Sequence, residues 1–246
     1  MNLWKATGWI TCLLCSCGAN VSQKLPEAPA STFCKVVEDT TSPDGRMAVA
    51  VGLNQAEPVD WSRYAERYDD QSLGFSFEPE ELALANFLVD LKKDRAVDFL
   101  VGNHFGTRAK YNHESYRVAW SEDSKYLIEV QSWRLGTASA RLYLLDGKAI
   151  ASTMDLRPVV NEQLRIVAER NYKVTREKFE KSYEVTLWKQ SVDSKGRVTL
   201  GAVADVFKSE DDPSVSIQLR FTAKAGKKGE LSAENVEVME KDEEAE

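Results

Sequence analysis

Residues 41–49, TSPDGRMAV, and residues 120–128, WSEDSKYLI, decide the predicted fold because they share one pattern. Each stretch has a serine, an aspartate two positions later, a small residue, a basic residue and the start of a strand. The aspartate side chain can accept hydrogen bonds from the backbone amides ahead of it, and the small residue tolerates positive φ. Both stretches therefore predict tight turns between antiparallel strands.

Two further strand–turn–strand patterns follow these turns along the chain. Residues 87–91 lead through a turn at 92–95 to a strand at 96–97, and residues 142–145 lead through Asp146-Gly147 to a strand at 148–150. The hairpins thus succeed one another over residues 33–151. This order predicts a β region of two similar units.

Alternation of side chains places the faces of two of these strands. Tyr116, Val118 and Trp120 share one face, with Arg117 on the other. In the next strand Tyr126, Ile128 and Val130 alternate with Glu129 and Gln131, which predicts one apolar and one polar face.

The rhythm of turns and hairpins resembles the blades of TolB-like and other propellers, whose repeats combine an S-P-D-G-K/R turn with a D-L-x-x-G-K hairpin. The resemblance covers residues 33–151 and implies two propeller-blade-like units that recognise a protein. Propellers close with roughly four or more blades, and the sequence shows two units. We therefore expect a two-unit antiparallel sheet or sandwich, or a fragment that needs a partner to close its sheet edges.

The hydrophobic period changes after Asp155. Apolar residues then recur at steps of about 3.6, with Pro158 in the first turn, which predicts one long helix over residues 158–181. Alternating strands follow at residues 183–189, 197–207 and 215–221, with a last strand near 236–239. The fold class predicted is mainly β with one long helix and a C-terminal antiparallel meander over residues 152–240, α+β overall. Residues 241–246 form an acidic tail.

The amino terminus has the layout of a short export signal over residues 1–16, with one basic side chain, Lys5, before an acid-free apolar stretch. Leu14, Ser16 and Cys17 follow the lipobox of bacterial lipoproteins: an aliphatic residue three before, a small residue one before, and the cysteine that receives the lipid. This resemblance implies lipidation at Cys17, and residues 17–32 are predicted to be a flexible tether. The domain is then expected on the periplasmic side of a membrane.

Two other interpretations of the amino terminus stay open. In the first, the chain carries an ordinary signal peptide cut after a small residue such as Ala19 and is secreted as a soluble protein. In the second, it is cytosolic with an apolar start. Only Cys34 lies in the body of the chain, since Cys12, Cys15 and Cys17 belong to the signal region.

Composition excludes several functional classes. The chain has 32 basic and 39 acidic side chains and a net charge of −7, which argues against a general nucleic-acid binder because no cationic surplus exists to neutralise phosphates. No G-x-S-x-G elbow, P-loop, H-E-x-x-H or G-x-G-x-x-G motif occurs. The sequence predicts no catalytic residue, no metal site and no cofactor.

Three segments are candidates for contact with a partner. Residues 57–81 combine eight acids with Trp61, Tyr64 and Tyr68, and long loops in compact domains are often functional. His104 and His113 lie in a polar, glycine-bearing connection, and their spacing fits no short zinc pattern. Trp133 and Arg134 stand side by side between two strands, where they could stack on a ligand.

These features predict an exported, lipid-anchored, non-enzymatic β-rich domain that binds an envelope protein. The alternative is a periplasmic hydrolase or carbohydrate-active enzyme that uses two acids from residues 57–81. A glycosidase pair would need a separation of roughly 5 to 9.5 Å between carboxyl groups.

Overall fold

A computed structural model describes residues 24–53, 84–101, 115–133, 136–147, 149–181, 183–206, 215–225 and 231–239. Within this part of the chain the fold is mainly β, as predicted, and consists of three four-stranded antiparallel sheets. In each sheet the strands lie side by side in chain order.

The three sheets, called A, B and C, follow one another along the chain. Sheet A contains β1 (Cys34–Val36), β2 (Met47–Leu53), β3 (Leu84–Asp90) and β4 (Arg95–Phe99). Sheet B contains β5 (Ser115–Trp120), β6 (Tyr126–Trp133), β7 (Gly136–Leu145) and β8 (Ile150–Asp155). Sheet C contains β9 (Tyr183–Val192), β10 (Arg197–Val206), β11 (Val215–Ala225) and β12 (Leu231–Val238).

The two quoted turns connect antiparallel strands, and their hydrogen bonds match. In each turn the serine hydroxyl, of Ser42 or Ser121, accepts a hydrogen bond from the N–H five residues later, at 2.9 Å in both cases. The following aspartate accepts from the N–H two residues further on, at 3.0 Å in the first turn and 3.3 Å in the second. Gly45 and Ser124 have φ values of 66° and 60°, the left-handed conformation for which a small or turn-forming residue is suited.

The two turns also contact each other. The Asp44 N–H donates to Ser124 Oγ at 3.2 Å, and the indole N–H of Trp120 donates to the Thr40 carbonyl at 2.8 Å. Sheets A and B therefore lie with these turns at the same end, which we call the turn end.

Sheet C has a related turn that the sequence pattern did not identify. Asp193 accepts hydrogen bonds from the N–H groups of Lys195 and Arg197 at 2.8 and 2.9 Å, and Gly196 has a φ of 73°. Asp193 alone accepts the two backbone hydrogen bonds that a serine and an aspartate accept separately in the other turns. This turn is also one residue shorter. The motif therefore could not be matched, although the strands around the turn were predicted.

Sheet B is the middle layer and is buried on both faces. One face packs on sheet A in a core formed by Met47, Val49, Leu88 and Leu100 with Leu127, Tyr143 and Leu145. Its other face, which includes Ile128, Val130, Ala140, Leu142 and Met154, shares a core with a helix and sheet C. Dense burial on two sides explains the continuous apolar runs in its central strands.

The predicted single helix is instead two helices, α2 (Arg157–Tyr172) and α3 (Arg176–Lys181). Lys173 adopts a left-handed conformation with a φ of 59°, and the Val174 N–H donates to the Ala168 carbonyl at 3.1 Å. This hydrogen-bond pattern ends a helix. The break lets Val174 enter the core beside sheet C together with Phe179. A continuous helix places Phe179 on the same face as Ala168, as predicted, but turns Val174 away from that face.

Part of the predicted tether belongs to the fold. Residues 24–33 pack on the face of sheet A that is turned away from sheet B, where α1 (Ala30–Phe33) buries its two terminal residues. The carboxylate of Asp94 accepts hydrogen bonds from Ser31 N–H at 2.8 Å and from Ser31 Oγ at 2.5 Å. These contacts fix the segment beside the turn between β3 and β4.

The propeller interpretation is not confirmed, because the described strands form no closed sheet. None of the helices in the described part of the chain combines the length and the apolar character that crossing a membrane requires.

Substitution of two glycines tests how sheets B and C pack. A Cβ at Gly136 would lie 2.6 Å from the backbone oxygen of Val185 in β9, whereas a Cβ at Gly147 would meet nothing within 4 Å. Both residues have positive φ, 119° and 84°, so Gly147→Ala controls for backbone strain. We expect Gly136→Ala to lower the free energy of unfolding by about 1–3 kcal/mol more than Gly147→Ala in urea titrations. Equal losses would contradict the close approach of β9.

Candidate functional site

The strands of sheets A and B carry the candidate contact segments at one common end. Leu53 pairs with Leu84 at the junction of β2 and β3, and Trp133 pairs with Gly136 at the junction of β6 and β7. β4 ends and β5 begins at this same end, opposite the turn end. We call it the loop end.

Most of the predicted contact residues lie outside the described part of the chain. This holds for Trp61, Tyr64, Tyr68, His104, His113 and Arg134, for the acids of residues 57–81 and for the predicted lipidation site Cys17. Trp133 is the last residue of β6, and its side chain is not described. What the structure does describe is the set of strand ends from which these segments leave.

A buried carboxylate lies between sheets A and B beneath these strand ends. Glu129 of β6 has no exposed surface. Its Oε1 accepts a hydrogen bond from the Tyr116 hydroxyl at 2.6 Å, and its Oε2 accepts one from the Tyr143 hydroxyl at 2.6 Å. We call Glu129, Tyr116, Tyr143 and Asn86 the Glu129 cluster. Short hydrogen bonds to a charged acceptor are the kind that compensate for burying a carboxylate.

Strand register brings these side chains to one face. Glu129 pairs with Val118 of β5 and with Arg141 of β7, and the pleat directs alternate residues of each strand to the side of sheet A. Tyr116 is two residues from Val118 on β5, and Tyr143 is two residues from Arg141 on β7. Both tyrosines therefore lie on the same face of sheet B as Glu129. The Arg141 guanidinium forms an ion pair with Asp155 of β8, its register partner.

The Glu129 cluster joins both ends of the connection at residues 102–114. Val101, the last described residue before it, donates its N–H to the Tyr143 hydroxyl at 2.9 Å. Tyr116, one residue after β5 begins, donates directly to Glu129. One carboxylate thus organises the backbone on both sides of this connection.

The same cluster reaches the connection at residues 54–83. Asn86, in the first half of β3, is fully buried, and its side chain lies against the Tyr116 hydroxyl. The Asn86 carbonyl also accepts the N–H of Leu100 at 2.9 Å. The bases of two long connections are therefore parts of one hydrogen-bonded network.

Electrostatics keep the two phenols neutral. Burial raises the pKa of Tyr116 well above its usual value, and the negative charge of Glu129 and the hydrogen bond to it raise that pKa further. The pKa of Tyr143 is raised by the same causes in the same order. Both hydroxyls therefore remain hydrogen-bond donors at physiological pH. With both oxygens accepting from tyrosine, Glu129 is suited to holding the sheets together and to positioning the loop end.

The predicted polar face of β6 was wrong at Glu129. Sequence alternation assigned it to a polar face, whereas this face packs against sheet A and buries the side chain completely. Its position inside the run Tyr126-Leu127-Ile128-Glu129-Val130 was the available signal, since an acid within a continuous apolar run indicates a buried group with partners. The predicted face of Tyr116, Val118 and Trp120 agrees with the structure, because all three pack on the core between sheets A and B.

Within the described residues, no group of three or more His, Cys, Asp or Glu side chains could hold a metal ion. Comparison of the chain with family models, curated proteins and solved structures finds no match.

Removal of one hydroxyl tests the Glu129 cluster. Tyr143→Phe leaves the Val101 N–H and one oxygen of Glu129 without their partner, so we expect the free energy of unfolding to fall by about 1–3 kcal/mol. Tyr172→Phe is the control, because Tyr172 packs beside the other core and no described residue bonds its hydroxyl; its effect should stay within about 0.5 kcal/mol. Thermal and urea unfolding would measure both. A Tyr143→Phe protein as stable as the control would contradict the proposed role of the network.

Proposed function

We propose that this chain is an exported, lipid-anchored, non-enzymatic β-rich domain that binds a protein partner in the cell envelope. The partner is bound at the loop end, through the connections that contain Trp61, Tyr64, Tyr68, His104 and His113. The observation that carries the proposal is the common base of these connections. Strand ends next to residues 54–83 and 102–114 meet in the Glu129 cluster.

A rigid base favours binding by the segments above it. Interaction residues are frequently found on loops that a stable scaffold positions, and ordering the scaffold in advance lowers the entropic cost of binding. Sheets A and B supply such a scaffold, because their shared core and the contact between their turns fix their relative position. Their shape as two adjacent four-stranded sheets agrees with propeller-blade-like units, which remains part of the proposal.

The non-enzymatic assignment is supported by the state of Glu129, a carboxylate buried between sheets A and B. Glu129 is held by two phenols that stay protonated, so its oxygens are engaged in structure. The acids on which the hydrolase alternative depends lie at residues 57–81, outside the described residues, and no described contact favours that alternative.

Metabolic labelling with a palmitate analogue tests the anchor. We expect label on the wild-type protein and none on Cys17→Ala, because Cys17 is the proposed acceptor of the lipid. Cys15→Ala is the matched control, since it changes a neighbouring cysteine in the same signal, and it should keep the label. An unlabelled wild type, or label that persists on Cys17→Ala, would contradict lipid anchoring at this position.

Site-specific photo-crosslinking in intact cells tests the contact surface. A photoreactive residue is placed at Tyr68 in one variant and at His113 in another, so that each connection carries one probe. Control probes at Glu122 and Lys195 lie in turns between strands, and both residues are exposed. We expect the two loop-end probes to yield the same crosslinked protein and the controls to yield none. Equal crosslinking from the control positions, or different proteins from the two connections, would oppose the proposal.

A further inference from the structure

The turn between β3 and β4 is unusual on a chain of net charge −7. Its residues Leu91, Lys92, Lys93 and Arg95 are all exposed, and 39% of the Leu91 surface is accessible. Three cations therefore surround an exposed leucine at the tip of a hairpin. We propose that this turn docks on an anionic phospholipid surface.

The acidic groups near the turn are largely occupied by other donors. Asp90 is only 1% exposed and forms an ion pair with Arg46, and it accepts hydrogen bonds from the N–H groups of Lys92 and Lys93. Asp94 is exposed, and its carboxylate accepts two hydrogen bonds from Ser31, which is neutral and leaves the negative charge in place. Asp44 faces Lys92 and is also exposed. Three exposed cations therefore stand against two exposed acids, and this excess of positive charge suits phosphate headgroups.

The position of the amino-terminal segment brings this turn within reach of a membrane. The Ala30 N–H donates to the Asp94 carbonyl at 2.8 Å, and Leu25 and Ala28 pack on the adjoining face of sheet A. Between Cys17 and Lys24 the chain spans at most about 25 Å when fully extended. The reach of this turn to a bilayer rests on the proposed lipid anchor at Cys17, because the described chain after the anchor first packs on sheet A.

Physical chemistry favours the combination of these features. Each Lys or Arg near an anionic lipid surface contributes measurable attraction, and a second weak contact strengthens the hold of a lipid anchor. Attraction between exposed charges is screened over about 10 Å in moderate salt. Binding through the turn should therefore require anionic lipid and should weaken as salt increases.

Co-sedimentation with vesicles tests the docking surface separately from the anchor. The full chain with Cys17→Ser, which cannot receive the lipid, is mixed with vesicles of phosphatidylethanolamine and phosphatidylglycerol, or of phosphatidylcholine alone. We expect stronger binding to the anionic vesicles, and a loss of about tenfold or more in that binding when Lys92→Glu and Lys93→Glu are added. The apolar residues 6–14 are the same in every variant, so they cancel in the comparison.

Lys195→Glu with Lys224→Glu is the matched control, because both residues are exposed in sheet C or its turn and the change in charge is identical. The control should bind within about twofold of its parent. Equal loss in both double variants, or binding that ignores lipid charge, would overturn the docking proposal. Palmitate labelling reports independently on Cys17, so a labelled protein that shows no dependence on Lys92 and Lys93 would remove this inference and leave the anchor in place.

Discussion

The burial of one carboxylate between two sheets is the constraint on which the loop end depends. Glu129 has no exposed surface, and a buried carboxylate without partners would be very costly. Tyr116 and Tyr143 offset this unfavourable free energy, because each hydroxyl donates a hydrogen bond of 2.6 Å to one oxygen of Glu129. The two phenols also contact Asn86 in β3 and Val101 after β4. The hydrogen bonds that stabilise the Glu129 carboxylate therefore also position these strand ends. Packing and polar contacts thus specify the same arrangement of sheets A and B.

The two ends of the sheets are stabilised in different ways. At the turn end, Ser42 and Ser121 each accept a local backbone hydrogen bond that sets the turn. Hydrogen bonds from Asp44 to Ser124 and from Trp120 to Thr40 join the two turns. At the loop end, the strand ends are held by hydrogen bonds between residues far apart in sequence, which converge on Glu129. Through Tyr143 and Tyr116, this one carboxylate is linked to the strand ends on both sides of residues 102–114.

Local sequence patterns predicted the parts of the fold that depend on local chemistry. The turns at Ser42 and Ser121, the antiparallel hairpins and the C-terminal meander follow from turn residues and alternation. The end of α2 at Lys173 was missed because its signal is a lysine in a left-handed conformation, where glycine is the usual marker. The Glu129 cluster was missed for another reason: strand pairing in sheet B brings Tyr116, Glu129 and Tyr143 together, and the packing of sheet A adds Asn86 from β3. Periodicity shows that a residue shares a face with its neighbours, but it does not show which layer covers that face.

One carboxylate, Glu129, holds the bases of both connections as a unit. Hydrogen exchange of Glu129→Gln, compared with the wild type, tests this role because the variant keeps the shape of the side chain and removes its charge. We expect faster exchange together at two strand ends, around Asn86 in β3 and around Leu100 and Val101 after β4, with little change at the turn end. Unchanged exchange at both strand ends, or faster exchange spread evenly over sheets A and B, would contradict it.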